Sequence, residues 1–312
     1  NCCGVRRFSP PYPRLIVRHH LTATRVPTLR EQLTMSGFAR RFRIVFDRVK
    51  QALRRIVGRP CGRTLPFWNA TPESSPWAVP NAIPWLLHAR GHEFDEIGGL
   101  LASLMRKIRS RDWARLYGGF RVNRITPAEV ERLGQLARDD AVEMIGAASL
   151  NSNGYGREAA VRALAALGHP RAAPYILLRL SDWVAPVQAA AVAALRSLMS
   201  VGIAEELLQH HYLVSRLHGV ERVQLGGVLQ EIGDYLRAAP ARTAVERALR
   251  DTSAPLRLFA YRLFEDQLDA ELVRMAAADR DPLIRLWLVR RLVASPDLGS
   301  PELHSQLLRD RS

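Results

Sequence analysis

Lysine is nearly missing from this chain. Of its 45 basic residues only Lys50 and Lys107 are lysines, and 43 are arginines. So one-sided a choice reads as the codon bias of a GC-rich, bacterial genome rather than as a phosphate-binding signature. Cysteine is scarce too: Cys2, Cys3 and Cys61 show neither metal-ligand spacing nor a disulfide framework, which points to a reducing cytoplasm. No apolar run approaches the roughly 18–20 residues of a membrane span. No HExxH, CxxC or paired His/carboxylate pattern is present, and Gly154-Tyr155-Gly156 lacks the spacing and lysine of a phosphate loop. Acids are almost absent from residues 1–63, where 15 Lys and Arg stand against Glu31 and Asp47, a net of +13 out of the whole chain's +15. The remaining 30 basic residues meet 28 acids, so residues 64–312 carry only +2.

What the second half has in plenty is self-similarity. A sixteen-residue pattern anchors on Arg157, Gln188, Arg222, Arg257 and Arg285, at spacings of 31, 34, 35 and 28 residues. Positions −1, +3 and +7 lie one helical turn apart and form a single stripe: Gly156-Ala160-Leu164, Val187-Ala191-Leu195, Leu256-Ala260-Phe264 and Ile284-Leu288-Leu292. The third copy breaks at Glu221 and resumes with Leu225 and Leu229. Shorter apolar segments at 171–180, 203–217, 242–249 and 270–278 supply a partner helix to each copy. Pro170, Pro186, Pro240, Pro255 and Pro282 fall where helices should begin. The position six before each anchor holds Asn151, Asp182, Arg216, Asp251 and Asp279, and its aspartates are placed to cap the next helix or satisfy its free amides. The period predicts an all-α chain, an α-solenoid of stacked helical pairs.

The stretches "HPRAAPYILLRLSDWVAPVQAAAVAAL" (169–195) and "DRDPLIRLWLVRRL" (279–292) resemble HEAT repeats of the phycobilisome-lyase-like type. The resemblance covers roughly residues 127–295 and implies a HEAT-like, armadillo-type superhelix. It also implies an Asp/Arg ladder inside the stack, built from Asp182, Asp251 and Asp279 with Arg257 and Arg285. Gln188 and Arg216 depart from that ladder. Such repeats specify fold and leave function open, and chromophore attachment by the phycobilin lyases does not follow from them.

The N-terminal third divides differently. Residues 1–34 are aperiodic and read as an over-extended start before Met35 or an Arg-rich leader. Residues 35–59 hold a basic amphipathic helix: Phe38, Phe42, Val45, Val49, Leu53 and Ile56 on one face, and Arg40, Arg41, Arg43, Arg48, Lys50, Arg54 and Arg55 around the rest. It suits packing on the protein, an anionic membrane or nucleic-acid phosphates. Residues 60–85, with Pro60, Pro66, Pro72, Pro76, Pro80 and Pro84, read as a non-helical strap or linker carrying Phe67, Trp68 and Trp77. Residues 86–126 read as a divergent helical cap, with a helix over 94–108, and 127–312 as the repeats and a tail, opening with one helix over 127–150.

Candidate chemistry is thin. His92-Glu93 is similar to one His-Glu pair of deoxyhypusine hydroxylase, a HEAT-repeat enzyme that uses several such pairs. His210-His211 place their rings on different helix faces. Asp182-Trp183 and Trp287 resemble the aspartate and tryptophans of HEAT-like DNA glycosylases, but Asp182 already belongs to the structural column. Position +5 holds Arg162, Ala193, Gly227, Arg262 and Arg290, three arginines that could meet acidic peptides or phosphates on an inner curve. The expectation is a non-catalytic cytoplasmic scaffold binding an unidentified protein, with no cofactor. The alternatives are weak nucleic-acid or anionic-lipid binding through the basic helix and, remotely, a HEAT-type lyase or glycosylase.

Overall fold

A computed structural model describes residues 79–108, 112–121, 123–220 and 225–295, all within one compact unit, 51–312. The leader, the basic helix 35–59, the strap up to residue 78 and the tail from 296 lie outside the described residues. Within them the fold is all-helical, with no strand and no helix long and apolar enough to cross a membrane.

Helix α1 (Val79–His88) corrects the strap, because it runs through Pro80 and Pro84. Pro84 has no N–H for the carbonyl four residues back. Asn123 Nδ2 donates to that Pro80 oxygen instead, at 2.6 Å, so the helix survives its proline. Helices α2 (His92–Met105) and α3 (Trp113–Phe120) follow. The single helix expected over 127–150 is two, α4 (Pro127–Leu133) and α5 (Arg138–Ala148). Thr126 and Glu129 close a capping box at the start of α4.

The repeats then run α6 (Gly154–Leu167), α7 (Ala173–Arg179), α8 (Ala185–Val201), α9 (Ala204–Gln209), α10 (His211–Leu217), α11 (Gly226–Arg237), α12 (Arg242–Leu249), α13 (Ala254–Leu263), α14 (Ala270–Ala277) and α15 (Pro282–Ala294). The expected partner helix over 203–217 is broken at His210 into α9 and α10. Contacts sort the helices into two ranks. In one, α4 packs on α6, α6 on α8, and α11 on α13; in the other, α5 packs on α7, α7 on α9 and α10, and α9 on α12. The ranks join at α5–α6, α7–α8, α12–α13 and α14–α15.

The apolar stripe is the core in three of the four copies in register, while in the fourth Ala260 is buried and Leu256 half-buried. Gly156, Ala160 and Leu164, Val187, Ala191 and Leu195, and Ile284, Leu288 and Leu292 are all buried. Phe264 is only half-buried, because α13 stops at Leu263. The third copy was set two turns early. In α6, α8, α13 and α15 the anchor is the fourth residue of the helix. In α11 that residue is Leu229, not Arg222, and the buried stripe is Val228, Ile232 and Leu236. A seven-residue slip nearly preserves a 3.6-residue period, so the pattern alone could not reject it.

Candidate functional site

The anchor arginines build two like rungs. In the first, Arg157 reaches from α6 to Asp182 in the turn before α8: Nε to Oδ2 at 2.8 Å and Nη2 to Oδ1 at 3.0 Å. Its Nη1 turns back to the carbonyls of Asn151 and Ser152. In the second, Arg257 of α13 reaches Asp279 before α15 at 2.8 and 2.7 Å, and its Nη1 returns to the carbonyls of Asp251 and Thr252. Each aspartate also accepts the amide two residues on, from Val184 and Asp281. All four side chains are buried. Burial alone would raise the Asp279 carboxyl, but the Arg257 hydrogen bonds, the Asp281 amide and the charges of Arg257 and Arg280 hold it below the usual carboxylate range. The Arg285 guanidinium donates to the Asp279 carbonyl. Gln188 starts no rung, since the corrected register puts Val223 rather than an aspartate ahead of it.

Around the first rung a larger assembly forms. Arg179, at the end of α7, gives a third guanidinium bond to Asp182 at 2.9 Å. Two buried cations thus share one carboxylate. Burial pulls the Arg179 guanidinium below its ordinary range, against the opposing pull of Tyr117 and Asp182. Its Nε has no hydrogen-bond partner. The Tyr117 ring lies 4.7 Å from Arg179 on α7 and 5.7 Å from Arg121. On the other side, Arg157 sits 5.9 Å under the ring of Trp183. Trp183 is 67% exposed, and Tyr155, in the first turn of α6, is 78% exposed. A side chain at Gly154 would touch Val184, so the start of α6 lies against the residue that follows Trp183. The segment before α4 lies against the same place: Asn123 O accepts from Ser152 N and Oγ, and Ile125 O from Asn153 Nδ2. Exposed Arg121 and Arg124 flank Asn123. The result is an edge with two displayed aromatics, two displayed arginines and a rigid, cationic base.

The other sequence candidates scatter. Arg40, Arg41, Arg43, Arg48, Lys50, Arg54 and Arg55 lie outside the described residues. Arg162 is exposed but paired to Glu158 at 2.6 Å, and Arg262 and Arg290 are exposed. His92 pairs loosely with Glu96 at the surface. Asp182 is fully engaged by Arg157, Arg179 and Val184, and Trp287 is buried, stacked on Tyr261 at 6.0 Å. His210 is buried with Nδ1 unpartnered and Nε2 3.7 Å from Glu206; burial, then the neighbouring His211, lowers its pKa to about 4. A second buried group joins α5 to α7: Tyr175 Oη donates to Glu143 at 2.6 Å, and Trp113 meets the Tyr175 ring edge-on. Burial raises Glu143 despite Tyr175, Arg171 and Arg106. With Tyr175 sealed from solvent, this pair is a tie between helices. Among the described residues, no group of three or more His, Cys, Asp or Glu is placed to hold a metal ion.

Sequence reasoning singled out Asp182-Trp183 but missed Arg179, Tyr117 and Arg124. The available signal was the column five before each anchor, which in the corrected register reads Ser152, Trp183, Gln224, Thr252 and Arg280. A tryptophan in a polar column is out of place unless it is displayed. Comparison with known protein families, with curated proteins and with solved structures finds no match.

Proposed function

We propose that the chain is a non-catalytic α-solenoid of HEAT-like, armadillo-type helical pairs that binds another protein through the Trp183 edge. The packing of α4, α6 and α8 in series in one rank, and of α5, α7, α9 and α12 in the other, supports the solenoid. The ladder residues, where enzymatic chemistry would be sought, are consumed in structural bonds. The observation that carries the reading is Trp183: a large ring kept in water yet braced on a guanidinium that is itself locked to Asp182. Trp, Tyr and Arg are the residues that dominate binding hot spots, and a ring already held in place loses little entropy on docking. A photo-crosslinking amino acid at position 183 or 155 should give one discrete protein adduct in the native cell. The same probe at Val201, exposed at the far end of α8, should give none. Equal labelling at all three positions defeats the reading. A bacterial cytoplasm is the proposed setting.

The charge of residues 1–63 favours a second activity beside the first, weak and salt-sensitive binding of nucleic acid or anionic lipid by the segment 38–57. Reversal of Arg41, Arg48 and Arg55 to Glu should abolish it. Binding that survives the triple reversal places the activity elsewhere, with Arg162, Arg262 and Arg290 next to be changed.

A further inference from the structure

We infer that the Trp183 edge takes an acidic peptide segment, with an apolar or aromatic side chain set between Trp183 and Tyr155 and carboxylates facing Arg121 and Arg124. This rests on the protein-binding reading above and names the chemistry of the partner.

The argument is one of charge. Asp182 is the carboxylate of the edge, and it is buried and saturated by four N–H donors from Arg157, Arg179 and Val184. Glu158, one turn beyond Tyr155, is engaged by Arg162. Glu129 is engaged at the start of α4 by the amide and hydroxyl of Thr126. Of these carboxylates only Glu129 keeps a charge that no partner cation balances. The positive side is in surplus. Arg157 and Arg179 exceed Asp182 by one charge, and because both are buried, salt screens that excess less than it would a surface charge. Arg121 and Arg124 add two guanidiniums at the surface, suited to forked bonds with carboxylates. The two rings provide apolar contact beside them. A peptide carrying acids next to an aromatic or proline side chain satisfies both halves of the surface at once.

Single-stranded nucleic acid also combines stacking with anions, but it needs a basic groove that follows a run of phosphates. This edge displays two arginines, and residues 64–312 carry a net of only +2. A peptide with a few acids matches that supply.

The test starts from the full-length chain. A phage library of random twelve-residue peptides is panned on it, with the Tyr155→Ala/Trp183→Ala double variant as counter-selection. The recovered peptides are then measured by fluorescence anisotropy. They should be net acidic, each with an aromatic residue or proline. Trp183→Ala and Arg124→Glu should each weaken them about tenfold or more without lowering the melting temperature, because both side chains are exposed. Affinity should fall as salt rises. Recovery of neutral or basic peptides, or of peptides indifferent to both variants, overturns the inference and leaves the protein-binding reading standing. Recovery of no peptide at all overturns both. Trp183-dependent binding of an oligo-dT strand in place of peptide assigns the edge to nucleic acid and also overturns the inference.

Discussion

The two rungs share a bond pattern nearly atom for atom, yet their surroundings differ at the third and fourth neighbours. Three residues before the aspartate stands Arg179 in the first rung and buried Ala276 in the second. One residue after it stands Trp183 in the first and Arg280 in the second. Arg280 is exposed and donates back to the Thr252 carbonyl at 2.8 Å, closing its rung with a polar strap. Trp183 instead lies over Arg157 and shows its ring to water. The second rung therefore buries one cation against one anion, and its other arginines stay nearer the surface. The first carries an extra buried cation and an open aromatic lid. A device needed only to join helices has no use for Arg179, because Ala276 serves at the same place. That surplus is the reason for reading the first rung as a base for binding as well as a joint.

The largest effect should come from removing the shared anion. Asp182→Ala strands two buried guanidiniums and should cost about 5 kcal/mol, the upper end for breaking a buried pair, while Asp279→Ala, stranding one, should cost about 3 kcal/mol. Urea unfolding of both variants tests the order. Equal losses would mean that Arg179 finds another partner and that the rungs are alike after all.

Next comes pH, and it separates the rungs from the region between them. His210, in the break between α9 and α10, has its pKa depressed by burial from 6.5 to about 4. A depressed pKa means that the folded state holds fewer protons than the unfolded one. The stability His210 contributes is thus present above pH 6.5 and is lost as pH falls toward 4, about 3 kcal/mol in all. His169 and His211 are lowered by burial too and act with the same sign. Glu206, raised by burial, acts with the opposite sign near the bottom of that window. Unfolding free energy should drop between pH 7 and 5, and His210→Leu should remove most of the slope. An unchanged slope would place the acid sensitivity in the other histidines.

These contrasts were unequally legible in the sequence. The apolar stripe was visible in four of five copies because a 3.6-residue period repeats across α6, α8, α13 and α15, with alanine at +3 in the first three. The rungs were half legible: the aspartate column stood out, and Arg257 was paired with it, but the docking partners lie 25 and 22 residues away in sequence. The third copy misled because Val228-Ile232-Leu236 and the stripe first assigned differ by two turns and share a period. Helix α1 was unreadable in principle. Pro84 argues against a helix until Asn123, 43 residues from Pro80, supplies the missing donor. The edge itself was least legible, since display of Trp183 depends on what lies under it.

Close approach sharpens the comparison further. At position −1 the second rung has Leu256, half-buried, while the first has Gly156, where any Cβ would collide with the Ile125 carbonyl. The obstacle is backbone, so it cannot rotate away. Gly156→Ala should cost about 1–3 kcal/mol, as overpacking does, and should also disturb the Ser152–Asn123 bonds that hold the segment carrying Arg124 against the start of α6. Thermal unfolding reads the first effect and peptide affinity the second. Leu256→Ala should leave peptide affinity unchanged, because it belongs to the other rung.

The smallest expected effect concerns the gap between the rungs, where no buried ion pair joins α8 to α11 among the described residues. An external pair spans it: Arg196 and Glu231 meet through two bonds of 2.8 and 2.7 Å. The pair lowers the Glu231 pKa and raises that of Arg196, chiefly through those hydrogen bonds. The geometry is as good as that of either rung, yet the side chains are 57% and 39% exposed. Water and salt there take back most of the attraction, and two long side chains lose freedom to make it. Geometry alone would rank Arg196–Glu231 beside Arg257–Asp279; burial ranks it far below. Glu231→Gln should leave the melting temperature unchanged within error at physiological salt, while Asp279→Asn lowers it clearly. The direct tie shown across this gap is Tyr235, whose hydroxyl accepts the Ile203 amide at 2.8 Å, while Leu195, Leu198 and Ile232 are buried on either side. A Glu231→Gln loss comparable to that of Asp279→Asn would mean that the gap is held electrostatically, and that bond geometry rather than burial separates strong rungs from weak ones in this stack.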